Sequence, residues 1–381
     1  MISKDSLPYN TGFVFTYDTG EFETVLDKAI EAADYENIAK RKSDSQLKGK
    51  LLGIGFASVI EIAGGPHPKP MEESATIRFE SDGGLTLALG THSHGQGHET
   101  VFRQIISEIL GLEFSQINLI YGDTDIIPHG KGTFGSRSIV VGGTAIKSAA
   151  DKIIKKASKI AAHLLETSEE DISFFGGSFI VDGTDRSLHL IDIAKASFKI
   201  DMLPQNIEIG LNETAITIPQ GATFPNGCHI CEVEIEPETG VVELVKYVVV
   251  DDVGKMLNPM LVKGQVHGGV AQGAGQALME KVVYDNQNGQ LLTGSFMDYT
   301  MPRAIDFPTL DVLSHEVPST NNPFGFKGAG EAGTVGALPA VMNAVCDALL
   351  PLGILHLDMP ATSERVWQAI KNAKKINVLN P

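Results

Sequence analysis

Glu331 is the residue whose setting points most directly to chemistry. It stands in the run Gly325-Phe326-Lys327-Gly328-Ala329-Gly330-Glu331-Ala332-Gly333-Thr334, where almost no side-chain bulk separates a carboxylate from a large ligand. In a dry site, loss of hydration raises a carboxyl pKa toward the range useful to a general base, while the same spacing also fits a glutamate at a helix start. Three further runs share the pattern of glycines leading into a helix: Gly90 to Glu99, Gly130 to Ser138 and Gly264 to Gly273. Helix N-termini carry unpaired N–H groups and partial positive charge, so four such loops suggest one large anionic ligand; each loop alone also serves a tight turn.

Other motifs carry less. Gly130, Gly132 and Gly135 fit G-x-G-x-x-G, yet the preceding strand ends near Tyr121 and the position for a ribose-binding acid falls in the basic run Ile153-Ile154-Lys155-Lys156. His92, His94 and His98 have spacing that a zinc site with an open position could use, and the bland alternative is polar side chains lining a loop. Cys228-His229-Ile230-Cys231 is a C-x-x-C inside an alternating strand, without a second pair for a metal or a helix start to activate a thiol. Cys346 lies in the apolar run Val341 to Leu350 and reads as core.

The elements that must hold these residues follow from periodicity. Phe22, Leu26, Ala29, Ile30 and Ala33 recur at helical spacing before a polar stretch, so residues 1–50 read as an N-terminal helix and linker. Short alternating strands from Leu51 to Gly90, a helix near 97–110, a strand near 116–122 and a long helix near 136–166 form a first α/β unit, 51–219. A second unit, 220–381, starts with a hairpin turning at Pro237-Glu238-Thr239-Gly240. It continues with a helix near 264–280, a strand pair around 281–300, a strand near 309–315, a helix near 338–350 and a closing helix from Ser363. The expected class is α+β, two packed two-layer α/β units.

Composition bounds the partners. The 381 residues are 43% apolar and 20% charged, which excludes disorder, and the net charge of −17 opposes nucleic acid and anionic membranes. No run of 18 uninterrupted apolar residues exists, and neither a membrane span nor a secretory signal is readable. Three cysteines suit a reduced, cytoplasmic setting better than a disulfide framework.

Four motifs occur in a fixed order: Gly95-Gln96-Gly97-His98-Glu99-Thr100, Gly132-Thr133-Phe134-Gly135-Ser136-Arg137-Ser138, Gly264-Gln265-Val266-His267-Gly268-Gly269, and Lys327-Gly328-Ala329-Gly330-Glu331-Ala332-Gly333-Thr334. Together with Leu7-Pro8-Tyr9 and Tyr17-Asp18-Thr19-Gly20, they resemble the C-terminal half of the molybdenum-binding large subunit of the xanthine dehydrogenase, aldehyde oxidase and aerobic carbon monoxide dehydrogenase family, over nearly the whole chain. The resemblance implies that the two units form half of a molybdopterin-binding subunit, with molybdopterin cytosine dinucleotide and Mo as cofactor. It places Gln96, Gly97, His98, Thr133, Gly135, Ser136, Arg137 and Ser138 at the cofactor, with Gln265, Gln272, Gly328 and Gly330, and makes Glu331 the catalytic glutamate. The implied reaction is oxidative hydroxylation of an aldehyde, an aromatic N-heterocycle or carbon monoxide with water-derived oxygen. Electrons would leave through FeS clusters to FAD, and three cysteines are too few to hold those clusters, so iron-sulfur and flavin subunits are the implied partners. The family's N-terminal half carries a further glycine-rich cofactor loop and the loop facing the small-molecule substrate, so either a second chain supplies it, as in a split subunit, or this sequence is a fragment of a longer subunit. Alone, the chain is expected to be inactive. Two other readings stand beside this one: a non-catalytic scaffold chain of such a complex, and a zinc hydrolase built on His92, His94 and His98.

Overall fold

The structure, a computed structural model, describes residues 1–64, 70–127 and 129–379, with backbone only for 374–379. The chain begins with a small β-ribbon, β1 (Tyr9–Asn10) and β2 (Thr16–Tyr17), then helices α1 (Phe22–Ala32) and α2 (Ile38–Leu47) and strand β3 (Leu51–Ile60). The next segment holds β4 (Glu73–Phe79), β5 (Leu85–Leu89), α3 (His98–Leu110), β6 (Ile117–Tyr121), α4 (Ser138–Leu164), β7 (Ile172–Phe175), β8 (Ser178–Val181), β9 (Ser187–His189), α5 (Leu190–Ala196) and β10 (Asn212–Thr217). The last segment holds β11 (Asn226–Ile235), β12 (Val242–Asp252), α6 (Pro259–Leu278), β13 (Leu310–Ser314), α7 (Ala332–Leu349) and α8 (Ser363–Leu379).

The α+β class is as expected, but the division of the chain is not three consecutive stretches. Unit 1 comprises Met1–Glu61, Phe224–Pro318 and Ala329–Pro381, and unit 2 comprises Ile62–Thr223 and Ser319–Gly328. The cause is strand pairing: β3 lies antiparallel to β11 along its whole length, from Leu51↔Ile235 to Ile60↔Asn226. Residues 1–50, expected as a helix and linker, therefore join the later hairpin. Alternation within β3 marks a strand without naming its neighbour.

Unit 1 is built on the sheet β13-β12-β11-β3, with β13 added parallel to β12. One face buries Cys231, Val233, Tyr247 and Val249 beneath α6 and α7, and the other buries Ile230, Val248 and Val250 beneath α1, giving three layers. α7 starts at Ala332, six residues before the expected 338, and its Gly333 and Gly336 sit at close contacts that tolerate no side chain. By length and composition α7 could cross a membrane; here its buried Ala337, Ala340, Val341, Ala344 and Val345 pack in the unit's core. The expected strand pair around 281–300 is reduced to one bridge, Tyr284↔Leu291.

Unit 2 is built on the sheet β10-β4-β5-β6, where β4 pairs antiparallel with β5 and β5 pairs parallel with β6. α4 covers it with Ile146, Ala149, Ile153, Ala157 and Ile160, all fully buried at helical spacing. A second, three-stranded sheet runs β7-β8-β9. Residues 319–328 return to this unit through Asn321, whose carbonyl accepts from Gln220 N–H (3.1 Å) and whose amide donates to Ala222 O (2.8 Å).

Candidate functional site

In unit 2, the loops before α3 and α4 are tied together by one hydroxyl. Thr133 Oγ1 donates to His92 O (2.6 Å), accepts from His92 N–H (3.1 Å) and lies 2.7 Å from Ser138 Oγ at the first residue of α4. Gly97 precedes α3 with φ +87°, a left-handed conformation that favours glycine, and the chain turns the same way at Gly135 and Ser136 before α4. Gly328 is held so close to Ser136 and Ala63 that a Cβ would fall 2.6 Å from Ser136 Cβ and 2.7 Å from Ala63 Cβ. Gln96 folds back on its own loop, its amide donating to His92 O (3.3 Å) and its carbonyl accepting from His94 N–H.

His98 is the first residue of α3 and is buried against Phe102, with ring centroids 4.9 Å apart. Burial pulls its pKa down to about 4, against a smaller opposing pull from Glu99, so the imidazole is neutral at pH 7. Its Nδ1 is buried and has no hydrogen-bond partner among the described residues. Glu99 accepts from Tyr121 Oη and Ser93 Oγ, and the Tyr121 hydrogen bond holds its carboxyl below the usual range. His92 and His94 touch each other, Nδ1 to Nε2 at 2.9 Å. Among the described residues no group of three or more His, Cys, Asp or Glu is placed to hold a metal ion, so the zinc reading of His92, His94 and His98 loses its site.

Arg137 has a different place from the one expected of a phosphate ligand. The whole side chain is buried, and the guanidinium donates to Glu73 Oε2 (2.8 Å), Gly132 O (2.6 Å) and Glu72 O (3.1 Å), while lying over the Phe134 ring at 5.5 Å. It fixes the loop and is not turned outward. A cation at a helix start opposes the helix dipole, and that mismatch is the sequence signal for a buried acid partner; Glu73 itself carried none.

In unit 1, Glu331 is the N-cap residue of α7, and its carbonyl accepts from Thr334 and Val335 N–H (both 3.0 Å). Its side chain is exposed, so the dry surroundings a general base requires are not furnished by this chain's residues alone. Gln265 donates to Gly330 O (2.6 Å), and Thr334 Oγ1 donates to Gly269 O and approaches Gln272 Oε1 (both 3.1 Å). The third glycine run therefore does not open a helix. It lies inside α6, which begins at Pro259 and is capped by the Asn258 side chain. Gly269 and Gly273 serve the close crossing of α6 and α7, while a Cβ at Gly264 or Gly268 would meet nothing within 4 Å.

Among the described residues, the feature that fits a polar ligand is the buried, unpartnered Nδ1 of His98, at a helix start without a side-chain cap. At α3, α4 and α7 no side chain closes the first turn, in contrast to α6. In unit 2 the first residues of α3 and α4 have no side-chain cap, and among the described residues the buried Nδ1 of His98, the first residue of α3, has no hydrogen-bond partner. The C-x-x-C splits across its strand: Cys228 packs with the α1 face and Cys231 with the α6–α7 face, and burial raises both thiol pKa values.

Comparison with known proteins supports the family resemblance. Residues 28–308 match the molybdopterin cofactor-binding domain family. The chain is 38% identical to the carbon monoxide dehydrogenase large chain of Hydrogenophaga pseudoflava, over 97% of this chain and 47% of that protein. It is 36% identical to the nicotine 6-hydroxylase large subunit of Paenarthrobacter nicotinovorans, over 93% of this chain and 45% of that subunit. The crystal structure of Cu,Mo-CO dehydrogenase superposes with a TM-score of 0.89 at 34% identity, over 98% of this chain and 48% of that one. The chain thus spans about half the length of the curated relatives it matches. A molybdopterin cofactor-binding match over most of the chain, joined to this likeness in sequence and fold, makes the chain a member of the xanthine dehydrogenase and carbon monoxide dehydrogenase family of molybdopterin-binding oxidoreductases.

Proposed function

We propose that this chain contributes the C-terminal half of a molybdenum hydroxylase large subunit and carries its general base, Glu331. The observation that carries the reading is the setting of that residue: a carboxylate on the N-cap of α7, its neighbour Gly330 held by Gln265, with no bulky side chain beside it. Gln96, Gly97, His98, Thr133, Gly135, Ser136, Ser138 and Gly328 of unit 2, and Gln265, Gln272 and Gly330 of unit 1, are the proposed cofactor contacts. Arg137 belongs to that set through the loop it fixes. The uncapped first turns suit the phosphates of a molybdopterin cytosine dinucleotide. When bound, the molybdenum centre supplies two-electron oxidation. Glu331 would accept the proton lost by the water-derived oxygen as it attacks the electrophilic carbon of an aldehyde, N-heterocycle or carbon monoxide. Electrons would pass to iron-sulfur and flavin partner chains, and a further polypeptide would complete the pocket and cover Glu331. A cytoplasmic setting belongs to the same proposal, supported by three free thiols.

The test is to purify the tagged chain from its native host and measure molybdenum together with the intact masses of what accompanies it. Equimolar molybdenum, a second chain related to the uncovered half of the relatives, and chains bearing iron-sulfur and flavin are the expected result. A lone, metal-free chain refutes it.

A further inference from the structure

Beneath the first turns of α7 lies a polar cluster that the site described above does not use. His229, Tyr247 and Asp251 share the α6–α7 face of the unit 1 sheet, with His229 and Tyr247 fully buried and Asp251 only 3% exposed. His229 Nδ1 lies 2.9 Å from Tyr247 Oη, and His229 Nε2 lies 3.5 Å from Asp251 Oδ1. Burial raises the Tyr247 pKa well above its ordinary value, so the phenol keeps its proton and shares a hydrogen bond with Nδ1. The ring is pressed against Gly336, where even a Cβ would collide with it. Gly336 is five residues after Glu331, which is about 7.5 Å along a helix axis.

A cluster of this kind is an expensive way to fill a core. Among the described residues His229 Nε2 and Asp251 Oδ2 have no hydrogen-bond partner, and a buried polar atom without one costs more than an apolar side chain of the same shape. Leucine or phenylalanine would fill the volume, but neither has ring nitrogens by which Tyr247 and Asp251 could fix a ring against a helix that has glycine at the contact. We infer that His229, oriented by Tyr247 and Asp251, is a positioning residue that sets the seating of the first turns of α7 and through them the placement of Glu331. The inference rests on the reading of Glu331 as the general base. It also gives a role to the one polar residue between Cys228 and Cys231.

The experiment is hydrogen exchange on the full chain at the amides of Thr334 and Val335, which donate to Glu331 O, in wild type, Tyr247→Phe, His229→Gln and His229→Leu. Tyr247→Phe removes one oxygen atom, the mildest of these changes. It should speed exchange at those two amides about tenfold, the effect of losing one buried hydrogen bond, with β11 and β12 unchanged. His229→Leu should do the same, and His229→Gln, which keeps a donor and an acceptor, should restore part of the protection. Exchange at Thr334 and Val335 that is unchanged, or that rises only in step with the whole chain, overturns the inference. In the assembled complex, Tyr247→Phe should lower kcat about tenfold at constant KM. Full turnover by Glu331→Gln would remove the reading of the base itself; an inactive Glu331→Gln beside an unaffected Tyr247→Phe would remove the positioning role alone.

Discussion

Gly273→Ala and Gly268→Ala should move the stability of this chain in opposite directions, although both replace glycine by alanine inside the same helix. Helix propensity favours each change by about 1 kcal/mol. At Gly268 the added Cβ meets nothing within 4 Å, so about 0.5–1 kcal/mol of that gain should be realised. At Gly273 it would lie 2.6 Å from Ala337 Cβ, 3.1 Å from Thr334 O and 3.2 Å from Leu338 N. Carbon atoms pack at about 3.5–4 Å, so α7 would have to withdraw by roughly 1 Å. Neither backbone nor a Cβ can rotate away, and such overpacking costs about 1–3 kcal/mol, which exceeds the propensity gain. The expected net change is a loss of up to about 2 kcal/mol, accompanied by strain on the Thr334 hydroxyl bond to Gly269 O and the Gln265 bond to Gly330 O. Urea denaturation of the three single variants Gly264→Ala, Gly268→Ala and Gly273→Ala, followed by far-ultraviolet circular dichroism at one pH, reads the sign directly. A Gly273→Ala midpoint raised as much as that of Gly268→Ala would show that α6 and α7 do not cross as described.

Glu331→Gln in the assembled complex should leave molybdenum content intact and lower turnover by about 10²–10⁴-fold, the contribution of a general base; wild-type turnover measured by dye reduction would refute the role. Arg137→Met leaves the Glu73 carboxylate and the Gly132 and Glu72 carbonyls without their buried donor, and should cost about 3–5 kcal/mol by denaturation, with cofactor content falling as the loop opens; a loss under 1 kcal/mol would mean the pair is hydrated. His98 has a folded pKa of about 4 against 6.5 for an exposed histidine, so the unfolded chain binds the proton first as pH falls. Its contribution is full above pH 6.5 and should be lost between pH 6.5 and about 4, by roughly 2–3 kcal/mol; His98→Gln should flatten that part of the stability profile, and an unchanged profile assigns the loss to other groups.

Much of this chain could be read from its residues because the informative signals are local. The alanine and isoleucine stripe of α4 is a one-dimensional pattern, and so is the glycine run that ends at Glu331. The runs before α3, α4 and α7 open helices as their spacing suggests, while the run from Gly264 does not: glycines that let two helices touch look in sequence like glycines that let a ligand touch. Non-local facts were invisible. The alternation of Leu52, Ile54 and Phe56 could not name β11 as partner, and Arg137 looked like a ligand for phosphate because its acid, Glu73, lies in another strand with no motif around it. The His229 cluster was equally hidden, since its three members approach one another only when β11 and β12 pair.

The interleaving of the two units sets the order in which a ribosome could complete them. β3 leaves the exit tunnel early and has no partner until β11 follows it, and the last segment of unit 2, Ser319–Gly328, emerges after most of unit 1 has been made. Neither unit closes before the other is nearly synthesised, so contacts of high sequence separation govern assembly and apolar strand edges stay uncovered for much of translation. A gene cut near residue 223 would therefore yield two pieces that each lack a strand or a segment their core requires. The chain is a single folding problem, and anything that bound it during synthesis would meet an unfinished sheet before a closed core.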